Sequence, residues 1–320
     1  MLKMVSLDEY VQFFGEVPWD GIRAFGELTL YDRTPKELIH ERIKDADVVF
    51  ITKTPLGAAE FDAAPHLELI CVVATGYNMI DTAEAARRGI VVCNAPGYST
   101  ESVVQHTFAL LLELCVHVGE YSPLAHGPRW VENDGFSFLD FPVTEICGKT
   151  LGIVGFGAIG RRVAQVALAF GMKVLYNRRA GADAAVDGAN IGYADLDALF
   201  RESDVVTLHC PLTPETKGLV NAARIASMKD GAMLINTARG PIIEDRALAD
   251  ALNAGKLAGA GLDVMTTEPP KADNPLLTAK NVVLTPHIAW APLEARRRLM
   301  TICEDNVKAF VAGRPIHRVN

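Results

Sequence analysis

Three side chains in this sequence, a guanidinium, a carboxylate and an imidazole, each follow a short apolar run. Arg239 comes after AMLINTA, Glu268 after GAGLDV, and His287 after NVVLTP. Such runs read as buried strands. All three side chains therefore leave strand carboxyl ends, which is where an open α/β sheet binds ligands. A guanidinium is a planar fork that pairs a carboxylate through two bonds. An imidazole gives or takes a proton near neutral pH. A carboxylate beside the imidazole orients it. Singly, Glu268 could as well close a salt bridge and His287 a capped turn.

A second motif decides what the three could do together. In KTLGIVGFGAIGRRVAQVALAFG, a strand (Thr150 to Val154) runs into Gly155-Phe156-Gly157-Ala158-Ile159-Gly160, and a helix follows at once. The first glycine permits the turn, the second lets backbone approach a pyrophosphate, and the third lets helix and strand pack closely. The helix N-terminus then offers N–H groups to phosphate. A glycine turn without a ligand is the competing reading, and the strand–turn–helix placement tells against it. The next strand, Met172 to Tyr176, runs into Asn177, Arg178 and Arg179. NAD-binding versions place an acid there for the ribose hydroxyls, and this sequence has none. Two guanidiniums suit a 2′-phosphate instead, so NADP(H) is the expected preference, with NAD(H) left open. The loop HCPLTPETKGLVN brings Cys210 and Pro211 to the cofactor, where Pro211, Leu212 and Thr213 could pack against the adenine; His209 reads as the end of a strand. With a nicotinamide at hand, Arg239, Glu268 and His287 have the equipment for hydride transfer between a 2-hydroxy acid and a 2-keto acid. Reduction needs the protonated imidazole, so that direction should weaken with rising pH.

The elements that position these residues follow from the apolar pattern. Asp47–Thr52, Leu67–Gly76 and IVVCNAP read as strands, separated by helical stretches such as IDTAEAARRG, which starts near Asp81 and stops at Gly89. A helix from about Thr100 to Gly119, capped by Ser99 or Thr100, presents Leu110, Leu111, Leu114 and Val118 as its apolar face. A second alternating series runs from Gly148 to His287. PLEARRRLMTICEDNVKAFVAG reads as a final amphipathic helix that docks on the first strands. The expectation is an α/β protein of two domains: 1–100 plus 290–320 for substrate, and 101–289 for the dinucleotide.

The sequence has 320 residues and a net charge of −8, which argues against non-specific nucleic-acid binding. Its six cysteines are scattered, without CxxC or a Cys/His cluster, so neither a disulfide framework nor a zinc site is expected. MLKMVSLDEY has no apolar signal-peptide core, and no apolar run is long enough to span a bilayer. A cytoplasmic protein is the expectation.

The chain resembles the D-isomer-specific 2-hydroxyacid dehydrogenases along nearly its whole length. The matching segments are VVATGYNMID, NAPGYSTESVVQHTFALLLE, LGIVGFGAIG, HCPLTPETKGLVN, MLINTARGPIIEDRALADAL, GAGLDVMTTEPP and LTPHIAW. The resemblance implies two Rossmann-like doubly wound parallel-sheet domains with a cleft between them, and a homodimer joined through the nucleotide domain. It implies Arg239 as the substrate-binding catalytic residue and Glu268 as partner of His287, the acid/base. It places Thr237, Ala238, Asp263 and Ala289 on the nicotinamide side, and the backbone of Thr75 and Gly76 on the substrate carboxylate. Lys53 could touch substrate or be an idle loop charge. Trp290 departs from the glycine of many members; the HIAW form is closer to glycerate dehydrogenases and hydroxypyruvate or glyoxylate reductases, and Trp290 could narrow the substrate pocket. Formate dehydrogenases, which pair their His with Gln, fit less well. A short phosphoglycerate dehydrogenase stays as an alternative. So does a dinucleotide-sensing corepressor, a binding protein that would need a peptide surface and added tails.

Overall fold

The computed structural model describes residues 1–12, 16–179 and 188–320. The chain divides into two compact units, Met1–Ser99 with Ala291–Asn320, and Thr100–Trp290.

The first unit is built on five parallel strands: β1 (Leu2–Ser6), β2 (Gly26–Leu30), β3 (Val48–Ile51), β4 (Leu69–Val72) and β5 (Val91–Cys93), in the order β2-β1-β3-β4-β5. β3 and β4 are buried at every position, as expected of parallel strands covered on both faces. β1 and β2 are strands that the sequence pattern did not reveal. LKMVS and GELTL mix charged and apolar residues, and their burial is correspondingly partial. The Asp81 carboxylate accepts the Glu84 amide (3.0 Å) and caps the helix Thr82–Arg87, and Gly89 ends that turn at φ +76°. The last helix, Leu293–Val311, buries Leu299, Met300, Cys303 and Val307 within this unit. Its buried Asn306 donates to the Asn94 carbonyl (2.9 Å) beyond β5.

The second unit has seven parallel strands: β6 (Thr150–Val154), β7 (Lys173–Asn177), β8 (Ile191–Tyr193), β9 (Val205–Leu208), β10 (Ala232–Asn236), β11 (Leu257–Leu262) and β12 (Val282–Leu284). Their order is β12-β11-β10-β9-β6-β7-β8. The winding reverses between β6 and β9, a topological switch point of the dinucleotide-binding kind. β8 is a further strand not foreseen; IGY is short, and it lies at the sheet edge.

The helix expected over Thr100 to Gly119 ends earlier, at Val116, and a second helix spans Val118–His126. His117 between them has φ +55°, and Val118 is 61% exposed rather than on the apolar face. The break is held locally: the His117 amide still donates to the Glu113 carbonyl (2.8 Å), while the Glu113 carboxylate accepts the Gly119 amide (3.0 Å). The helix Thr100–Val116 comes close to the sheet over two glycines of β11. A Cβ on Gly259 would lie 2.8 Å from the Leu114 side chain, and one on Gly261 would lie 2.8 Å from Leu110. Among the described residues, no single helix is long and apolar enough to cross a membrane.

Two polar side chains at strand ends carry measurable consequences. Asp8, 4% exposed, accepts the amides of Thr52 (2.8 Å), Lys53 (2.7 Å) and Thr54 (2.8 Å), and so fixes the turn after β3. Asp8→Ala would take away the acceptor shared by three amides and the Thr54 hydroxyl and should cost about 3 kcal/mol of stability; an unchanged urea midpoint would show that the turn holds without it. His209 follows β9, where burial pushes its imidazole down to about 3, with Nε2 against the Thr207 hydroxyl at 2.9 Å. Part of its surface stays accessible, so solvent tempers the shift without reversing it. The unfolded chain takes a proton near pH 6.5 that the folded ring refuses. Stability contributed by neutral His209 is therefore complete above that pH and is lost as pH falls toward the folded value. His209→Asn should flatten the acid limb of a urea-midpoint profile between pH 7 and 4; an unaltered limb would remove His209 as its source.

Candidate active site

The glycine loop after β6 has the geometry of a phosphate cradle. Gly155 has φ +97°, and a Cβ there would lie 2.5 Å from the Cys210 amide nitrogen. A Cβ on Gly160 would lie 2.2 Å from the Gly155 carbonyl oxygen, so the third glycine lets helix and loop touch. At Gly157 a Cβ would meet nothing within 4 Å: the space in front of the helix cap is open. The helix Ala158–Ala169 begins there, and the amides of Ala158, Ile159 and Gly160 belong to its first turn, where N–H groups lack intrahelical partners. An open cradle in front of these donors fits a dinucleotide pyrophosphate.

β7 delivers Asn177, whose side chain donates to the Ala194 carbonyl (2.9 Å), followed by half-buried Arg178 and exposed Arg179. Glu215 stands in the field of Arg179, its carboxyl held below the usual range chiefly by a hydrogen bond from Thr213. Pro211 and Leu212 are exposed on the loop after β9, and Cys210 is half-buried, its thiol pushed up to about 11 by burial.

β10 ends in Asn236, which is fully buried. Its amide group donates to the Arg239 carbonyl (3.0 Å) and accepts the Ala238 amide (2.9 Å), tying off the loop Thr237–Arg239. The Arg239 guanidinium donates to the Ala238 carbonyl (2.7 Å). Gly240 brings this loop against the next one: a Cβ there would lie 2.0 Å from the Met265 carbonyl carbon. The Met265 amide donates to Glu268 Oε1 (3.2 Å), and Glu268 Oε2 accepts from His287 Nδ1 (2.7 Å). One carboxylate is thus held by backbone on one oxygen and holds the imidazole with the other. With Nδ1–H committed, Nε2 remains the atom able to exchange a proton with a ligand.

His287 itself has φ +56°. Asp263 at the end of β11 organises its loop. The Asp263 carboxylate, 1% exposed, accepts the Thr285 hydroxyl (2.6 Å) and the amides of Ile288 and Ala289 (both 2.9 Å). Burial would raise its pKa, but His106, Thr285 and the two amides together outweigh burial and hold it below the ordinary carboxylate value. Trp290 donates its indole N–H to the His287 carbonyl (2.7 Å). In the first unit, Lys53 is exposed on the turn tied by Asp8. The exposed Thr75 donates its hydroxyl to the Ala95 carbonyl (2.8 Å), and its own carbonyl accepts the Asn94 amide group (2.8 Å); Gly76 follows it.

Among the sequence-selected residues, the structure brings Glu268 and His287 into contact and sets Asp263, Ala289 and Trp290 around the same loop. Two further polar residues, His106 and Thr107, were not singled out from the sequence. His106 Nε2 lies 2.8 Å from the Thr285 hydroxyl and 3.3 Å from Asp263, and Thr107 shares a hydrogen bond with Thr237 (3.2 Å). The available signal was an adjacent His-Thr pair inside the apolar helix SVVQHTFALLL. Asn236 carried a signal too, as the polar end of an otherwise apolar strand.

Comparison with known proteins converges with this geometry. Residues 108–289 match the model of the family described as D-isomer specific 2-hydroxyacid dehydrogenase, NAD binding domain. A hydroxypyruvate reductase of Blautia hydrogenotrophica is 47% identical over the full length of both chains (100% of each). A glycerate dehydrogenase of Methylorubrum extorquens is 41% identical over 88% of each chain. An NADPH-dependent glyoxylate/hydroxypyruvate reductase of Sinorhizobium meliloti, solved with citrate, superposes with a TM-score of 0.84 at 28% identity, covering 100% of this chain and 98% of that one. With the glycine cradle at the switch point and a Glu–His pair on the loops after β11 and β12 of the same sheet, the chain belongs to the D-isomer specific 2-hydroxyacid dehydrogenase family.

Proposed function

We propose that this enzyme reduces hydroxypyruvate or glyoxylate with a nicotinamide cofactor, the reverse reaction being D-glycerate oxidation. The observation that carries the reading is the 2.7 Å contact of His287 Nδ1 with Glu268, at the carboxyl end of the sheet that bears the glycine cradle. The names of the relatives support the substrate class.

The bound nicotinamide supplies the hydride for reduction or takes it in oxidation. The rest of the chemistry falls to the chain. Arg239 pairs the substrate carboxylate and polarises the adjacent carbonyl. His287 passes the Nε2 proton to the carbonyl oxygen in reduction and removes the hydroxyl proton in oxidation. Glu268 keeps the ring turned so that Nε2 faces the substrate. Lys53 and the backbone of Thr75 and Gly76 are kept as substrate contacts. Thr237, Ala238, Asp263 and Ala289 are assigned to the nicotinamide, and the loop Gly155–Gly160 with Cys210 and Pro211 to the rest of the dinucleotide.

NADP(H) is the preferred form in this reading. Its support is the pair Arg178 and Arg179 where an acid would serve NAD. A cytoplasmic homodimer is part of the same proposal. Support for the dimer comes from the exposed apolar side chains Trp130, Val131, Phe136, Leu139 and Val143 on one stretch of the second unit.

Initial rates with hydroxypyruvate, glyoxylate and pyruvate, each with NADPH and NADH, test the reading directly. Fast oxidation with hydroxypyruvate or glyoxylate is expected, and His287→Ala should lower kcat by about 10²- to 10⁴-fold while dinucleotide affinity is retained. Turnover undiminished in that variant would take His287 out of the mechanism. Dinucleotide binding without turnover of any keto acid would make this a binding protein. Arg178→Asp should lower the ratio of kcat/KM for NADPH over NADH by about 10- to 100-fold, through loss of charge-assisted bonds and added repulsion; a constant ratio would leave the arginines idle.

A further inference from the structure

The His287–Ile288 peptide plane is gripped on both edges. On one edge, the Ile288 amide donates to Asp263 Oδ1 (2.9 Å). On the other, the His287 carbonyl accepts the indole N–H of Trp290 at 2.7 Å. The residue between these grips is in an unfavoured conformation: His287 has φ +56°, a region L side chains rarely adopt. Its amide donates back to the Thr285 carbonyl (3.0 Å), and the following amide, Ala289, is fixed by Asp263 Oδ2 (2.9 Å). The direction of the imidazole depends on this backbone. The imidazole is carried on the Cα that this plane anchors, so freeing the plane would free the backbone torsions that set its direction.

We infer that Trp290 is a positioning residue, whose indole N–H straps the His287 carbonyl and holds the strained turn that aims the imidazole. This gives Trp290 a role other than the pocket wall suggested by its size. The indole is half-buried, with its polar edge turned to its own loop and not offered to a ligand. Such an N–H usually finds a partner when buried, and here the partner is the carbonyl of the proton-transferring residue. The inference rests on the reading of His287 as acid/base.

The test replaces one atom group. Incorporation of 3-benzothienylalanine at position 290 keeps the bicyclic shape and puts sulfur where the N–H was. Trp290→Phe removes the donor and part of the volume. In the benzothienyl protein the single-turnover rate of hydride transfer to hydroxypyruvate should fall about tenfold, equivalent to about 1.4 kcal/mol. The KM for hydroxypyruvate, the affinity for NADPH and the preference for hydroxypyruvate over glyoxylate should stay within about twofold, because the pocket shape is unchanged. A wild-type transfer rate in this protein would overturn the strap. So would Trp290→Phe changing KM and substrate preference while the benzothienyl protein changes neither rate nor KM, since that pattern belongs to a wall. Amide exchange measured by NMR reads the strap without turnover. Exchange at Ile288 and Ala289 should quicken in the benzothienyl protein while β6 and β10 stay protected. Unchanged exchange there would also overturn the inference. If the unmodified enzyme turns over none of the keto acids, the functional reading fails alone, and exchange still decides the strap.

Discussion

A carboxylate almost without solvent, that of Asp263, sets the terms for the loops around it. A buried charge is tolerable only when it is fully hydrogen-bonded. Here the donors come from Thr285, Ile288 and Ala289 on the segment after β12, and His106 reaches it from the helix Thr100–Val116. The segment carrying His287 is therefore folded around a charge at the end of β11, the strand that precedes β12. The helix can lie close enough to take part because β11 offers glycine at 259 and 261. Substituting either would push on Leu114 or Leu110 and so on the helix that carries His106.

Glu268 solves a different problem from Asp263. It is partly exposed, its side chain retaining 34% of its surface. It does not need four donors; it needs a fixed direction, supplied by the Met265 amide on one oxygen and by His287 on the other. Gly240 lets the Arg239 loop lie directly against that same Met265 backbone. The loops of the arginine, the carboxylate and the imidazole thus meet around the backbone at Met265, although they arrive from three different strands.

Much of this was legible in the sequence, and the illegible parts have physical causes. Fully buried parallel strands read as continuous apolar runs, so β3, β4, β9 and β10 stood out. The glycine loop announced itself because its three glycines answer three separate steric needs. β2 and β8 escaped notice because they are edge strands with mixed faces, and β1 because its first residues are polar or only half-buried. The break at His117 was hidden because a non-glycine residue at positive φ leaves no mark on apolar periodicity. His106 was hidden because its partner Thr285 lies 179 residues away. Periodicity reports which face is buried, not what a polar group on that face will meet. The same limit applies to Trp290: the sequence shows a large ring beside the histidine, and only coordinates show which way its N–H points.

The division of the chain has a temporal side. The second unit, Thr100–Trp290, is one continuous stretch, whereas the first is completed by Ala291–Asn320. On a ribosome, the strands of the first unit emerge early but must wait for Leu299, Cys303, Asn306 and Val307, which fill their core. Until then the carbonyl of Asn94 and the apolar face of β4 lack the helix that covers them in the finished protein. The inserted unit has all of its own core by Trp290 and can close first. The unit that begins first is thus the last to be completed. The interval between those two closures is the time in which the apolar strands of the first unit are open to wrong contacts.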